Sequence, residues 1–284
     1  MTDPITIHEG LAIYADGSGD PVLLMPYPHS FTRVPAAEGT LASILHEMGR
    51  RVISFDPPGA YRSTRPARVD LSEMLDCACE ALDASGVSGP IDVIGHSMSS
   101  LCSLALALEH PDRVRRLALI GSMSGYPALR RHNAIPYRWG WSDPRFWRMA
   151  ALGLRLRRGG ATLADHNRLQ RLMAEVSYRN ISLIPPLPAG EDAEHQPAPI
   201  RSRWARTSRR LDFRARLGEV RVPTWIAVGR YDPQTPVGCS IELAKKISGA
   251  DLVIFERSGH APFAEERERF TAALAAFWSA TATR

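Results

Sequence analysis

The sequence predicts an α/β protein: a mostly parallel central sheet flanked by helices, with a helical cap inserted between two parts of the core. Three observations predict it. Short runs rich in Val, Ile and Leu alternate with stretches of helical spacing over most of the 284 residues, which implies parallel strands covered on both faces. That alternation stops between about Tyr126 and Arg216, where helical and proline-rich stretches follow one another without a strand. The apolar fraction of 44% and the charged fraction of 23% are those of a chain that buries a sizeable core. The boundaries this gives are 1–125 for the first part of the core, 126–216 for the cap and 217–284 for the second part of the core.

In chain order, "ITIHE", "LAIYAD", "PVLLMP" and "RVISFD" read as strands, the first two close enough for a hairpin. Between the third and fourth, "AAEGTLASILHEMG" sets Leu41, Ile44, Leu45 and Met48 on one helical face and stops at Gly49. The stretch "VDLSEMLDCACEALDASG" is a second amphipathic helix ending at Gly86. Then "IDVIG" is a buried strand and "MSSLCSLALALEHP" a helix closed by Pro111. After the strand "VRRLALIGS" comes the cap, with helical stretches "DPRFWRMAALGLRLR" and "ATLADHNRLQRLMAEVSY". Residues Pro185 to Pro199 hold few core-forming side chains and are expected to be extended or mobile. The strand "PTWIAVG", the helix "VGCSIELAKKIS", the strand "DLVIFE" and a single terminal helix "PFAEERERFTAALAAFWSA" complete the pattern. An insertion after the sixth strand would lie over the C-terminal ends of the strands, where open α/β sheets bind ligands.

Composition excludes several classes of function. No apolar run approaches the roughly 20 residues of a membrane span, and "MTDPITIHEG" lacks the basic and apolar regions of a signal peptide. Cys77, Cys79, Cys102 and Cys239 have no metal-ligand spacing and read as reduced, buried thiols, so a cytoplasmic location is expected. No metal motif and no nucleotide loop is present, and the expected cofactor is none. Of the 35 basic residues all but Lys245 and Lys246 are arginine, and 18 arginines stand against 7 acidic residues in 127–216. That excess suits an acidic or carrier-linked small-molecule substrate, although solvated helix faces account for it more simply. No nucleic-acid-binding module accompanies it.

The chemistry centres on "PIDVIGHSMSSL" (90–101). A serine hydroxyl needs a base, and the base needs an orienting group. Ser97 stands between an apolar strand and a helix, flanked two residues away on either side by the small Gly95 and Ser99, as a sharp strand-to-helix turn requires. In "VGRYDPQTPV" Asp232 follows a strand and precedes a helix, and in "FERSGHAPFAEE" His260 sits in the loop after the last strand. All three candidates therefore fall at C-terminal strand ends, in the order Ser, Asp, His. Asp212 and Asp251 lack that placement. His96, next to Ser97 in an alternating strand, is expected to point away from it and to pack.

On "PVLLMPYPHS", "DPPGAYRS", "GHSMSS", "HPDRVRRLALIGS", "GRYDPQTP" and "SGHAPF" the chain resembles the α/β-hydrolase fold superfamily, of the capped kind related to proline iminopeptidases and esterases. The resemblance spans nearly everything except the cap. It implies a cofactor-independent serine hydrolase with Ser97 as nucleophile, His260 as base and Asp232 as the orienting acid. The backbone N–H of Met98, at a helix start, would be one oxyanion donor. The second comes from the loop after the third strand, which reads His-Gly-x-Pro in the family and Met25-Pro26-Tyr27-Pro28 here. Proline has no N–H, so Tyr27 is the expected donor. Three family glycines are replaced, by Pro26, Tyr61 and Ser99.

His29, directly after that loop, is a candidate for lining the pocket. Trp139, Trp141, Trp147 and Trp204 in the cap are candidates for an apolar lid or for the cap's own core. The expected reaction is cleavage of an ester, lactone or thioester of a small organic substrate. A non-hydrolytic catalyst (cyclase, lyase or acyl transferase) and an iminopeptidase-like aminopeptidase are the alternatives, since one fold hosts many reactions.

Overall fold

The computed structural model describes residues 6–28, 36–135, 142, 144–158, 162–184 and 198–280. Its first half runs β1 (Thr6–His8), β2 (Leu11–Asp16), β3 (Pro21–Leu24), α1 (Thr40–Glu47), β4 (Arg51–Phe55), α2 (Leu71–Ala84), β5 (Ile91–His96), α3 (Met98–Glu109) and β6 (Val114–Ile120). Four helices follow: α4 (Tyr126–Arg131), α5 (Pro144–Arg158), α6 (Leu163–Ser177) and α7 (Ala198–Thr207). The chain then returns through β7 (Thr224–Gly229), α8 (Val237–Lys246), β8 (Asp251–Phe255), α9 (Pro262–Glu265) and α10 (Arg267–Ser279).

The eight strands form one sheet in the order β1-β2-β4-β3-β5-β6-β7-β8. The β1–β2 hairpin and the β2–β4 pair are antiparallel, and every pair from β4 across to β8 is parallel. Alternation with a period of two decides which face each side chain takes. Leu23, Val93, Leu119 and Ile226 join one apolar layer with α2, α3 and α8, while Val22, Ile94, Ile120 and Trp225 join the other with α1 and α10. After β3 the chain moves to one side of that strand, and after β4 it crosses back to the other. The sheet therefore changes direction between β3 and β5, and a crevice opens above such a point. The loops carrying Tyr27 and Ser97 leave from those two strands.

Every strand expected from the sequence is present, and the expected hairpin joins β1 to β2. Three details differ. The terminal helix is two helices, because Glu266 (φ −128°) breaks it and turns its carboxylate to the Arg257 N–H (2.9 Å) and the Ser258 hydroxyl (2.6 Å). The segment expected as a cap, between β6 and β7, holds two further helices, α4 and α7. Of the stretch expected to be extended, 185–197 lies outside the described residues, while Ala198 and Pro199 open α7, where a proline's missing N–H costs nothing. Among the described residues no helix is long and apolar enough to cross a membrane.

Candidate active site

Ser97 caps β5 and precedes the first turn of α3 with φ 57° and ψ −122°, a left-handed backbone that side chains rarely adopt. Its N–H donates to the Ile120 carbonyl at 2.8 Å, which ties the turn to the end of β6. The turn is too tight for a side chain at position 95: a Cβ there would lie 2.7 Å from the Ser99 carbonyl oxygen and 2.8 Å from the Ser100 Cα. At position 99 a small side chain does more than fit. The Ser99 hydroxyl is buried, accepts from the His96 N–H and donates to the His96 carbonyl, each at 2.9 Å. Strain of this kind survives only where the surroundings over-determine it, and these bonds supply part of that constraint.

The structure brings Asp232 and His260, the candidate acid and base, together. The His260 Nδ1–H donates to Asp232 Oδ2 at 2.7 Å, with both side chains buried. Asp232 also accepts from the Gln234 N–H (2.8 Å), the Thr235 N–H (2.9 Å) and the Thr235 hydroxyl (2.8 Å). Burial alone would raise its pKa, but the facing His260 charge and these bonds outweigh burial and hold the carboxyl below the usual carboxylate range. The imidazole lies over Gly121 (φ +50°), where a Cβ would sit 3.2 Å from the ring; that glycine, at the end of the strand that also holds the Ser97 N–H, leaves room for it. With Nδ1 committed to Asp232, Nε2 is the nitrogen left for proton transfer. Among the described residues nothing hydrogen-bonds to the half-buried Ser97 hydroxyl, and catalytic hydrogen bonds commonly close only when substrate binds.

Two features of this site were not legible. His96, expected to pack, is buried and packed against Phe263, and is hydrogen-bonded besides at both ring nitrogens, to the Tyr27 hydroxyl at Nδ1 and to the His260 carbonyl at Nε2 (2.7 Å). His260 is also tied to the end of α6. The His260 N–H donates to the Ser177 carbonyl at the end of α6 (2.8 Å), and Gln234 Nε2 donates to the Ser177 hydroxyl (2.7 Å). The Glu265 carboxylate accepts from the N–H groups of Arg179 (2.6 Å), Asn180 (3.1 Å) and Gly259 (2.6 Å), which joins the same cap segment to the histidine loop.

The two oxyanion candidates differ in their surroundings. Met98 is the first residue of α3, where an N–H has no intrahelical acceptor and the helix dipole favours an anion. Tyr27 sits in the loop after β3, and burial, with the Tyr178 and Tyr61 phenols beside it, pushes its own phenol well above the usual range. Tyr178 is pushed up to about 12 by burial and by Glu265. His29, Trp139 and Trp141 lie outside the described residues. Trp147 on α5 is 53% exposed and stands edge-on to Phe146, whereas Trp204 on α7 is 3% exposed and belongs to the main apolar layer. Arg148, Arg155, Arg168, Arg171 and Arg206 are on exposed faces of the cap helices. Among the described residues no three His, Cys, Asp or Glu side chains converge as metal ligands would.

A family model described as the alpha/beta hydrolase fold matches residues 29–267. The chain belongs to the α/β-hydrolase fold family. It is 31% identical to a 2-hydroxymuconate semialdehyde hydrolase of Pseudomonas putida over 91% of this chain and 86% of that protein. Among solved structures, an alpha/beta fold family hydrolase from Bacillus anthracis aligns with a TM-score of 0.76 and 19% identity, covering 94% of this chain and 95% of the other. The esterase EaEST from Exiguobacterium antarcticum aligns with a TM-score of 0.69 and 21% identity, covering 95% and 96%. Within this α/β-hydrolase the departures from family glycines are accommodated in different ways. Ser99 is bonded back to His96, while Tyr61 takes the left-handed backbone (φ 48°) where the family pattern has glycine.

Proposed function

We propose that this chain is a serine hydrolase that cleaves a carboxylic ester, lactone or thioester of a small organic molecule through an acyl-enzyme on Ser97. The observation that carries the reading is the strained Ser97 turn beside a buried His260–Asp232 pair bonded at 2.7 Å. Ser97 Oγ attacks the carbonyl carbon as His260 Nε2 takes its proton. Asp232 holds the imidazole with Nδ1 protonated and stabilises the imidazolium. The N–H groups of Met98 and Tyr27 receive the oxyanion. Collapse of the tetrahedral adduct expels the alcohol or thiol, which leaves with the proton held at Nε2. Water, deprotonated by the same nitrogen, then attacks the acyl carbon, and the carboxylic acid departs as Ser97 recovers its proton.

A second reading is favoured by the 31% identity over 91% of the chain: 2-hydroxymuconate semialdehyde, named for the Pseudomonas putida relative, is a substrate to assay. The test of the mechanism is intact-protein mass spectrometry after treatment with a fluorophosphonate. Wild type is expected to gain one adduct, and the Ser97→Ala and His260→Ala variants none. A folded wild type that gains no adduct would overturn the reading.

A further inference from the structure

We propose that His96 is a positioning residue that fixes the catalytic base and the oxyanion loop against each other, through a hydrogen-bonded chain from the Tyr27 hydroxyl through its imidazole to the His260 carbonyl. The inference rests on the serine-hydrolase reading above and extends it to a residue whose side chain would touch no substrate.

The polarity of the chain follows from its ends. A carbonyl oxygen only accepts, so the His96 nitrogen 2.7 Å from the His260 carbonyl, Nε2, carries a proton. Burial, and then the neighbouring His260, push the His96 pKa down to about 3, so the ring is neutral and Nδ1 keeps its lone pair. The Tyr27 hydroxyl therefore donates to Nδ1. The ring is held on other sides as well. Phe263 meets it edge-on at 5.0 Å between centroids, the His260 ring lies tilted against it at 4.5 Å, and Ser99 binds both backbone groups of His96.

The consequence is geometric. His260 has its N–H bound to the Ser177 carbonyl, its own carbonyl bound to His96 and its Nδ1 bound to Asp232. Its backbone is thus pinned on both sides, and the imidazole has little freedom left. Tyr27, whose backbone N–H is the second oxyanion donor in the proposal, is anchored by its side chain to the same ring. One neutral imidazole consequently sets the distance between the proton acceptor and the oxyanion site, both of which must be right in the same transition state.

The test uses fluorophosphonate labelling kinetics, which separate the inactivation rate constant from the apparent binding constant without a known substrate. His96→Leu removes both hydrogen bonds, and its inactivation rate constant is expected to fall by ~10–100-fold with the binding constant within twofold of wild type. His96→Gln retains one donor and one acceptor and is expected to recover most of that loss. Tyr27→Phe keeps the backbone N–H and is expected to lose about tenfold in the rate constant alone. A folded His96→Leu protein with the wild-type rate constant would overturn the inference, as would a Gln variant no better than the Leu variant. If His96→Leu does not fold, Tyr27→Phe decides: an unchanged rate constant rejects the relay. Failure of the serine-hydrolase reading is seen separately, as a wild type that does not label at Ser97, and the inference falls with it.

Discussion

In the core, β5 and β7 are buried along their whole length, whereas four of the six exposed large apolar side chains among the described residues belong to the cap: Trp147, Leu154, Ile181 and Leu183. The core thus fixes its side chains by packing on two sides. The cap is held partly by Trp204 in the apolar layer and partly by polar bonds, including those that Ser177, Arg179 and Asn180 make around the histidine loop. The candidate site residues accordingly sit at strand ends, and the segment between β6 and β7 braces the loop that carries His260.

Four measurements would break or sharpen that contrast. The largest effect is expected from Asp232→Asn, which alters the core-side pair and should slow fluorophosphonate labelling by about 10⁴-fold, as the imidazole loses its productive tautomer. A wild-type labelling rate in that variant would remove the core from the chemistry. Next, urea denaturation should show Trp204→Ala costing about 3–5 kcal/mol, the range for truncating a buried aromatic. Trp147→Ala, at 53% exposure, should stay within about 0.5 kcal/mol of wild type. Equal losses would mean that the cap packs like the core.

The third concerns pH. Because the Asp232 pKa is lowered in the folded state, its contribution to stability is complete above the unfolded value of about 4 and disappears as pH falls through the folded value. The stability gap between wild type and Asp232→Asn in urea should therefore close on acidification below that value, and a gap that widens would contradict the assignment. The smallest effect is expected from Ser99→Gly, which removes two bonds to His96 while keeping the turn sterically open. A loss of about 1 kcal/mol is anticipated, read as a fall of about 2 °C in melting temperature, and a gain would show that Ser99 only crowds the turn.

The strands were legible because parallel, doubly buried strands are continuous apolar runs, and the Asp232–His260 pairing because each residue follows such a run directly. The segment between β6 and β7 shows in the sequence as a break in alternation, but its contents do not. In α7, "APIRSRWART", arginines and prolines obscure any apolar period, although Trp204 is buried in the apolar layer and Ile200 packs against it. By sequence Glu266 is interior to a helix, because its use, binding Ser258 and the Arg257 N–H, depends on a loop that only the folded chain brings back. The role of His96 was hidden for a similar reason. Its partners lie 69 and 164 residues away in sequence, and alternation along β5 predicts only a direction, not what waits there.

The Glu265 carboxylate has an architectural consequence. One acidic side chain gathers two backbone amides from the chain leaving α6 and one from the loop that carries His260. Caps on this scaffold are insertions, and insertions invite the thought that they are interchangeable parts. Here the splice site runs through the base's own support: a graft that replaced α6 would have to end on a carbonyl where Ser177 has one and present two amides where Arg179 and Asn180 do. Exchanging the segment around α6 would therefore also remove three of the bonds that hold the His260 loop.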